Sequence, residues 1–387
     1  MIQRPIDAID ERDLAELIAN KVAEGRDLEF KRALPGGSEA DGKEFLADVT
    51  AFANAQGGDL IFGVEETAGA ASAVPGLAVN DPDAELLRIE SRIRDGVEPR
   101  LTGLRMRWIS LASGLRVLIV RVPASLSAPH RVVFKNSGRF FSRNSGGKYE
   151  MDTHELRHAF TISEQLPTRL RAFHVEAVAA AQGVNMPFRL NPEPMAVASV
   201  VPLSILRERQ NLDITPETAL APVKPSGTLE WMFTLDGLLL HTPLNENTKP
   251  ETNFNAVRSY ALTHWQGRTD VAWTLGGERQ IDRGAPRLLV WPHRFEAGLI
   301  DVVVSTMAKL RSFAIEGPWV VFVSISGIEE AELVLGDRDT SEPAWREGAT
   351  LPEVVADHLD ESALLPIFKA FWLLFGVPRP KDRVVSH

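Results

Sequence analysis

Three residues, Glu29-Phe30-Lys31, open the chemistry of this chain. On a strand, residues two apart face the same way. Glu29 and Lys31 therefore share one side, with Phe30 turned to the core. An acid and a lysine on one strand face suit phosphodiester hydrolysis: the acid holds a divalent cation, and the lysine orients water or offsets phosphate charge. Magnesium and manganese prefer carboxylate oxygens, and one or two such ions need several carboxylates. Glu24 lies five residues before Glu29, and Glu65 and Glu66 close the next apolar strand pattern. Glu24, Glu29, Glu65 and Glu66 are thus the expected metal ligands, with Lys31 beside them. Two ions about 3.5–4 Å apart would clamp the attacking and leaving oxygens.

The elements that must carry these residues read as strand, helix, strand. Residues 27–31 form a strand, ended by the loop chemistry of Leu34-Pro35-Gly36-Gly37. A helix is predicted over 42–54, with Phe45, Leu46, Val49, Phe52 and Ala53 in one apolar stripe. Asn54 and the Gly57-Gly58 pair end it. Leu60-Ile61-Phe62-Gly63-Val64 reads as a strand buried on both faces. Further helices are expected over 10–24 and 82–95, and strands over 104–110 and 115–122. Short strands follow at 132–134 and 139–143. A helix begins near Asp152, with Glu155 completing a capping box.

The rest of the chain sorts into domains. Residues 1–163 form an N-terminal domain, 164–190 a helical linker, and 191–387 a β-rich C-terminal domain to which the sequence assigns no role. Strands are predicted in that last part over 195–201, 229–235, 238–241, 257–264, 271–275, 288–291 and 319–326. Helices are predicted over 296–315 and 364–375, with polar loops over 243–255 and 337–350. The fold class is α+β.

With 44% hydrophobic residues a sizeable core is feasible, and with no Cys both disulfides and thiolate metal sites are excluded. No stretch approaches the roughly 20 apolar residues of a membrane span. The expectation is a cytoplasmic protein. A net charge of -10 argues against nucleic acid when taken alone. Its distribution argues otherwise: residues 101–150 hold 9 bases and 1 acid, whereas residues 1–100 hold 11 bases and 21 acids. An acidic site beside a basic rim is the expected result. Arg131, Lys135, Arg139, Arg143 and Lys148 would make the rim and grip phosphates, with His130 either helping there or serving as a structural residue beside Pro129.

Leu28-Glu29-Phe30-Lys31, the helix end at Asn54, Gly57-Gly58 and Ile61-Phe62-Gly63-Val64-Glu65-Glu66 resemble the Schlafen-type AlbA domain, the divergent second AlbA family. Ala128-Pro129-His130 resembles its Pro-His element, and Arg139-Phe140-Phe141-Ser142-Arg143 its aromatic strand. The resemblance covers roughly residues 15–160. It implies an N-terminal mixed α/β Schlafen AlbA-like domain and, in the Schlafen branch, cleavage of tRNA or other structured RNA. There an E-x4-E pair works with a third acid, usually Asp. Glu24 and Glu29 match the pair, and Glu65 or Glu66 takes the third place. The resemblance implies a metal-dependent endoribonuclease using Mg2+ or Mn2+, in anti-phage defence or stress. It equally implies an alternative, a non-enzymatic nucleic-acid-binding regulator. RNA, tRNA foremost, or DNA is the expected partner, with no membrane and with homodimerisation left open.

His154-Glu155-Leu156-Arg157-His158 matches a zinc-protease pattern, but its Arg157 and the capping duty of Glu155 speak against that use. Ser145-Gly146-Gly147-Lys148 lacks the hydroxyl residue and first glycine of a phosphate loop. Trp231, Trp265, Trp273 and Trp291 read as core or hairpin residues, with an RNA-stacking surface as the alternative.

Overall fold

A computed structural model describes residues 2–381 apart from 3, 5, 126, 145, 207–210, 217–228, 245–254, 281–284, 314, 316, 337–338 and 357–358. The chain forms two compact units. Met1–Leu166 makes the first, and Pro167–Ile205 with the chain from Arg209 onward makes the second. Both mix helices with sheets, so the fold is α+β.

In the first unit, α1 is Glu11–Ala19, β1 Leu28–Lys31, α2 Glu39–Asn54 and β2 Gly57–Phe62. Next come β3 (Glu65–Thr67), β4 (Ala70–Ala73), α3 (Pro82–Gly96), β5 (Val97–Glu98), β6 (Arg105–Ser110) and β7 (Arg116–Pro123). β8 (Arg131–Val132), β9 (Phe141–Asn144) and β10 (Gly147–Glu150) follow, and α4 runs over Thr153–Ala181. The four-stranded sheet has the order β1-β2-β7-β6, so β1 is an edge strand. β1 runs parallel to β2, with Glu29 opposite Leu60 and Lys31 opposite Phe62. β2 to β7 and β7 to β6 are antiparallel.

The period-2 alternation splits the side chains of this sheet between two cores. Leu28, Phe30, Ile61, Val117 and Ile119 pack with Ile6, Ile9 and Leu14 on one face. Leu60, Phe62, Leu118 and Val120 pack with Phe45, Leu46, Val49, Phe52 and Ile89 on the other. Glu29 and Lys31 alternate with Leu28 and Phe30 and so fall on the α2 side. Each fully buried Leu, Ile or Phe contributes roughly 1.5–3 kcal/mol.

The helix α2 begins three residues before its expected start, because the Ser38 hydroxyl accepts the Asp41 N–H and caps it. It is buried at every position from Phe45 to Ala53, not along one stripe. The sheet lies against it, and so do β8, β9, β10 and α3. Gly58 is required where β2 meets α2: a Cβ there would lie 2.4 Å from the Phe52 ring and 2.7 Å from the Asp27 carbonyl oxygen.

Two expectations change here. The segment 153–181 is one helix, with Pro167 inside it, and not a capped start followed by a separate linker helix. Glu65 and Glu66 do not end β2. The strand stops at Phe62, Gly63 turns the chain at φ +97°, and the two acids lie in the separate β3–β4 hairpin.

The second unit is built on an eight-stranded sheet. Seven of its strands lie in the order Glu230–Phe233, Gly237–His241, Ser259–His264, Thr269–Thr274, Met195–Pro202, Trp319–Ser326 and Gly348–Thr350, and Val354–Ala356 also pairs with Trp319–Ser326. Helices Pro292–Ser312 and Glu361–Leu373 bury Phe295, Leu299, Phe368, Phe371 and Trp372 against one face. Phe295 and Phe371 stack at 4.1 Å. Leu239, Tyr260 and Leu262 pack with Ala177 and Ala181 of α4. Gly348–Thr350, expected as loop, is a strand, and much of the expected loop at 243–255 lies outside the described residues. Trp273 is buried and its indole N–H donates to the Arg294 carbonyl at 3.1 Å, whereas Trp231 is half exposed against Phe233. Among the described residues, no helix is long and apolar enough to cross a membrane.

Candidate active site

The site forms where the edge strand β1 meets α2 and the β9–β10 hairpin. Lys31 Nζ donates to Glu29 Oε1 at 2.7 Å and lies 3.6 Å from Asp48 Oδ2. Glu29 Oε2 accepts from Arg143 Nη2 at 2.6 Å. Lys148 Nζ reaches Asp48 Oδ1 at 2.8 Å and Glu44 Oε1 at 2.7 Å. Arg143, Glu29, Lys31, Asp48, Lys148 and Glu44 are thus one chain of alternating charge.

Arg143 is the buried link. Its guanidinium stacks 4.3 Å over Phe52 and donates to the Gly25 carbonyl, at 2.9 Å from Nη2. It therefore ties the segment carrying Glu24 to the carboxylate of Glu29. Glu24 approaches from the other side. Its backbone N–H donates to the Gly69 carbonyl at 2.7 Å, and Ala23 bridges to Ala70, which sets the segment beside the β3–β4 turn. Its Oε1 accepts the Phe30 N–H at 2.6 Å, filling a donor on the edge strand.

The charge states follow from these contacts. Burial raises the Glu24 carboxyl to about 7. The Phe30 N–H opposes the rise, and the charges of Glu29 and Glu66 add to it. Burial also pushes Glu29 up, but Lys31 and Arg143 outweigh it and hold the carboxyl below its ordinary value. Burial lowers Lys31, and Asp48 and Glu29 more than compensate, so its ammonium is held above the ordinary range. Asp48 is raised, chiefly by burial. Its Oδ2 has no hydrogen-bond partner among the described residues.

The expected residues fare differently. Glu24, Glu29, Lys31 and Glu66 share one electrostatic neighbourhood. Glu65 pairs instead with Arg32, at 3.0 Å. The four carboxylates expected to share Mg2+ or Mn2+ are not placed as one ligand set: Glu24, Glu29 and Glu66 lie near one another, and Glu65 is turned to Arg32. Glu29 already has an oxygen on each of two cations, Glu24 holds a backbone N–H, and Glu65 faces Arg32. Among the described residues, no group of three or more His, Cys, Asp or Glu side chains is placed to hold a metal ion. The residues do not fit the ion as they stand.

The basic rim also changes. His130 is fully buried, with Nδ1 on the Pro99 carbonyl at 2.7 Å and Nε2 on Ser125 Oγ at 2.6 Å, so it is structural and does not meet a phosphate. Arg143 is buried on Glu29 and cannot grip a backbone from there. Arg131 pairs with Glu98 at 2.6 Å and Arg139 with Glu150 at 3.2 Å, both at the surface. Lys135 is exposed, at φ +50°. Asn54 is a clamp: its Nδ2 donates to the carbonyls of His130 and Phe141, and its Oδ1 accepts the His130 N–H at 2.6 Å. Asp59 on β2 is fully buried in a pair with Arg121 at 2.7 Å.

Asp48 is the acid that the sequence reading missed. It follows Phe45 by three residues and so falls on the buried side of α2. An ionisable residue inside an apolar helix face was the available signal.

Residues 24–152 match the family described as Schlafen, AlbA_2, so the chain carries a Schlafen AlbA_2 domain over that range. No curated protein matches the chain. Among solved structures, the DIP2311 protein from Corynebacterium diphtheriae is 19% identical, with a TM-score of 0.26. The match covers 38% of this chain and 27% of that one. The N-terminal domain of a putative ATP-dependent DNA helicase RecG-related protein from Nitrosomonas europaea is 26% identical over 36% of this chain and 93% of that one, with a TM-score of 0.27.

Proposed function

We propose that the N-terminal unit binds nucleic acid and cuts RNA, with tRNA and other structured RNA as the substrate class. The Schlafen AlbA_2 match supports a nucleic-acid-related role. The observation that carries the cutting step is the placement of Glu24: its carboxylate sits on the Phe30 N–H of the edge strand that carries the half-buried Lys31, and burial there raises it to about 7. A group that titrates near the operating pH both accepts and returns a proton readily. The ribose 2′-hydroxyl attacks phosphorus as Glu24 takes its proton. The P–O5′ bond breaks to leave a 2′,3′-cyclic phosphate, the departing 5′-oxygen takes a proton from water, and the Lys31 ammonium meets the charge that builds on the phosphate. Glu29, Asp48 and Arg143 are positioning residues that hold Lys31 and the Glu24 segment in place. The divalent ion expected from the sequence enters no step, since its carboxylates are not placed to share it.

Incubation of total tRNA with the full chain tests this, with manganese and with chelator as separate arms that read metal dependence directly. Fragments are expected from the wild type. Glu24→Gln should lower the rate by about 100-fold or more, with RNA affinity unchanged in a polarisation assay. tRNA left intact in both arms while bound to the protein would overturn the cutting step. That outcome is the second reading, a non-enzymatic nucleic-acid-binding regulator. It is favoured by one observation: Glu29 and Asp48 are both occupied by protein cations.

A further inference from the structure

The second unit holds a cavity of about 480 Å³ between the C-terminal turns of α4 and the strands Ser259–His264 and Thr269–Thr274. That volume lies in the range of small-molecule sites. Its floor is polar and buried. Arg268 Nε lies 3.0 Å from Asp270 Oδ2, its Nη1 donates to Glu176 Oε2 at 3.2 Å, and its guanidinium stacks 4.7 Å over Phe173. His264 Nε2 lies 2.7 Å from the same Asp270 oxygen. Burial pushes Asp270 up, but Arg268 and His264 outweigh it and keep it ionised. Tyr260 also lines the cavity. It is 2% exposed, and its Oη has no hydrogen-bond partner among the described residues. Burial and Asp270 raise its pKa, so it stays a neutral donor. A buried hydroxyl left unpaired is unfavourable, and a ligand acceptor would remove that cost.

We infer that this cavity binds a nucleobase or nucleoside without phosphates. The exclusion of anions comes from charge: Glu176, Asp236 and Asp270 stand against the single guanidinium of Arg268, which two of them already hold. A phosphate would meet net negative charge. The preference for a planar heterocycle comes from the walls. Trp265 and Phe173 bring aromatic rings to the lining, each with one face already taken, by Phe233 and by Arg268, while Met186 and Leu262 supply apolar contact. A base edge carries N–H donors for the carboxylates and a carbonyl or ring nitrogen for Tyr260 Oη. This inference is independent of any activity of the N-terminal unit.

Calorimetric titration of the full chain with adenosine, guanosine, cytidine and uridine tests it, alongside their 5′-monophosphates and spermidine. At least one nucleoside should bind with a Kd below about 1 mM, and its monophosphate at least about tenfold more weakly. Tyr260→Phe keeps the ring and removes the hydroxyl, so it should weaken binding about 3–10-fold while the unfolding midpoint of the ligand-free chain rises, since no unpaired hydroxyl is left buried. Ala180→Phe, which fills the cavity, should abolish binding. If that variant does not fold, the Tyr260→Phe result decides. Absence of nucleoside binding, a monophosphate as tight as its nucleoside, spermidine binding in their place, or full affinity in Tyr260→Phe would each overturn the inference.

Discussion

Glu24 serves two ends at the residue scale: it fills the Phe30 N–H of an edge strand, and it carries a proton near neutral pH. If it accepts the proton of the attacking hydroxyl, cleavage should rise through about pH 7, and Glu24→Gln should remove that inflection. Stability should run the other way. The folded value is above the unfolded one, so between about 4.3 and about 7 the native state holds more protons, and stability falls as pH rises. Urea midpoints at pH 5 and pH 8 should converge in Glu24→Gln, and an unchanged gap would remove Glu24 as the cause. Lys309 gives the opposite case. It is 3% exposed, its Nζ donates to Thr263 Oγ1 at 2.5 Å, and burial lowers it to about 7. The unfolded chain binds the proton more tightly, so from about 7 to about 10.4 stability should rise with pH, by up to about 1.4 kcal/mol per unit. Lys309→Met should raise the neutral-pH midpoint by a few degrees, roughly 1–4 kcal/mol, and flatten the slope. A lower midpoint would show that the Thr263 contact outweighs desolvation.

At the scale of elements, β1 was legible because its alternation of Leu28, Glu29, Phe30 and Lys31 is local to four residues. The enclosure of α2 was not. It depends on β9 and β10, about ninety residues further along, and only their packing turns Asp48 from a surface acid into a buried partner of Lys31 and Lys148. Glu65 misled for a related reason: a glycine turn at Gly63 ended β2 and swung the two acids into a hairpin. The start of α4 was readable, since a cap needs only neighbours. Asp152 accepts the N–H groups of His154 and Glu155, and Glu155 returns to Asp152 N at 3.0 Å while also accepting from Tyr149 Oη at 2.8 Å. That engagement explains the zinc-protease pattern as a helix start. Glu155→Ala should cost about 0.5–2 kcal/mol by denaturant melts, and His154→Ala close to nothing. Protein purified without added metal should carry no stoichiometric zinc, and one zinc per chain lost in His154→Ala would reverse this reading.

Over the whole molecule, the charge bias of the sequence does not become a free cationic surface. Residues 101–150 hold 9 bases against 1 acid, yet the acids that answer them come from elsewhere in the first unit: Glu29 for Arg143, Asp59 for Arg121, Glu98 for Arg131, Glu44 and Asp48 for Lys148. A linear count of charge therefore overstates the phosphate contacts available. Affinity for nucleic acid loses about 0.7–0.9 in log units per contacted phosphate for each tenfold rise in salt. Of the six residues expected at the rim, two are buried and three are paired, so only about three contacts are counted, from Lys135, Lys31 and one displaced ion pair. The slope of log affinity against log salt should then be shallow, roughly -2 to -3. Polarisation titrations of a labelled tRNA between 50 and 200 mM salt would measure it. A slope steeper than about -5 would mean that the surface pairs open on binding and that the basic stretch acts as a single phosphate-gripping face after all.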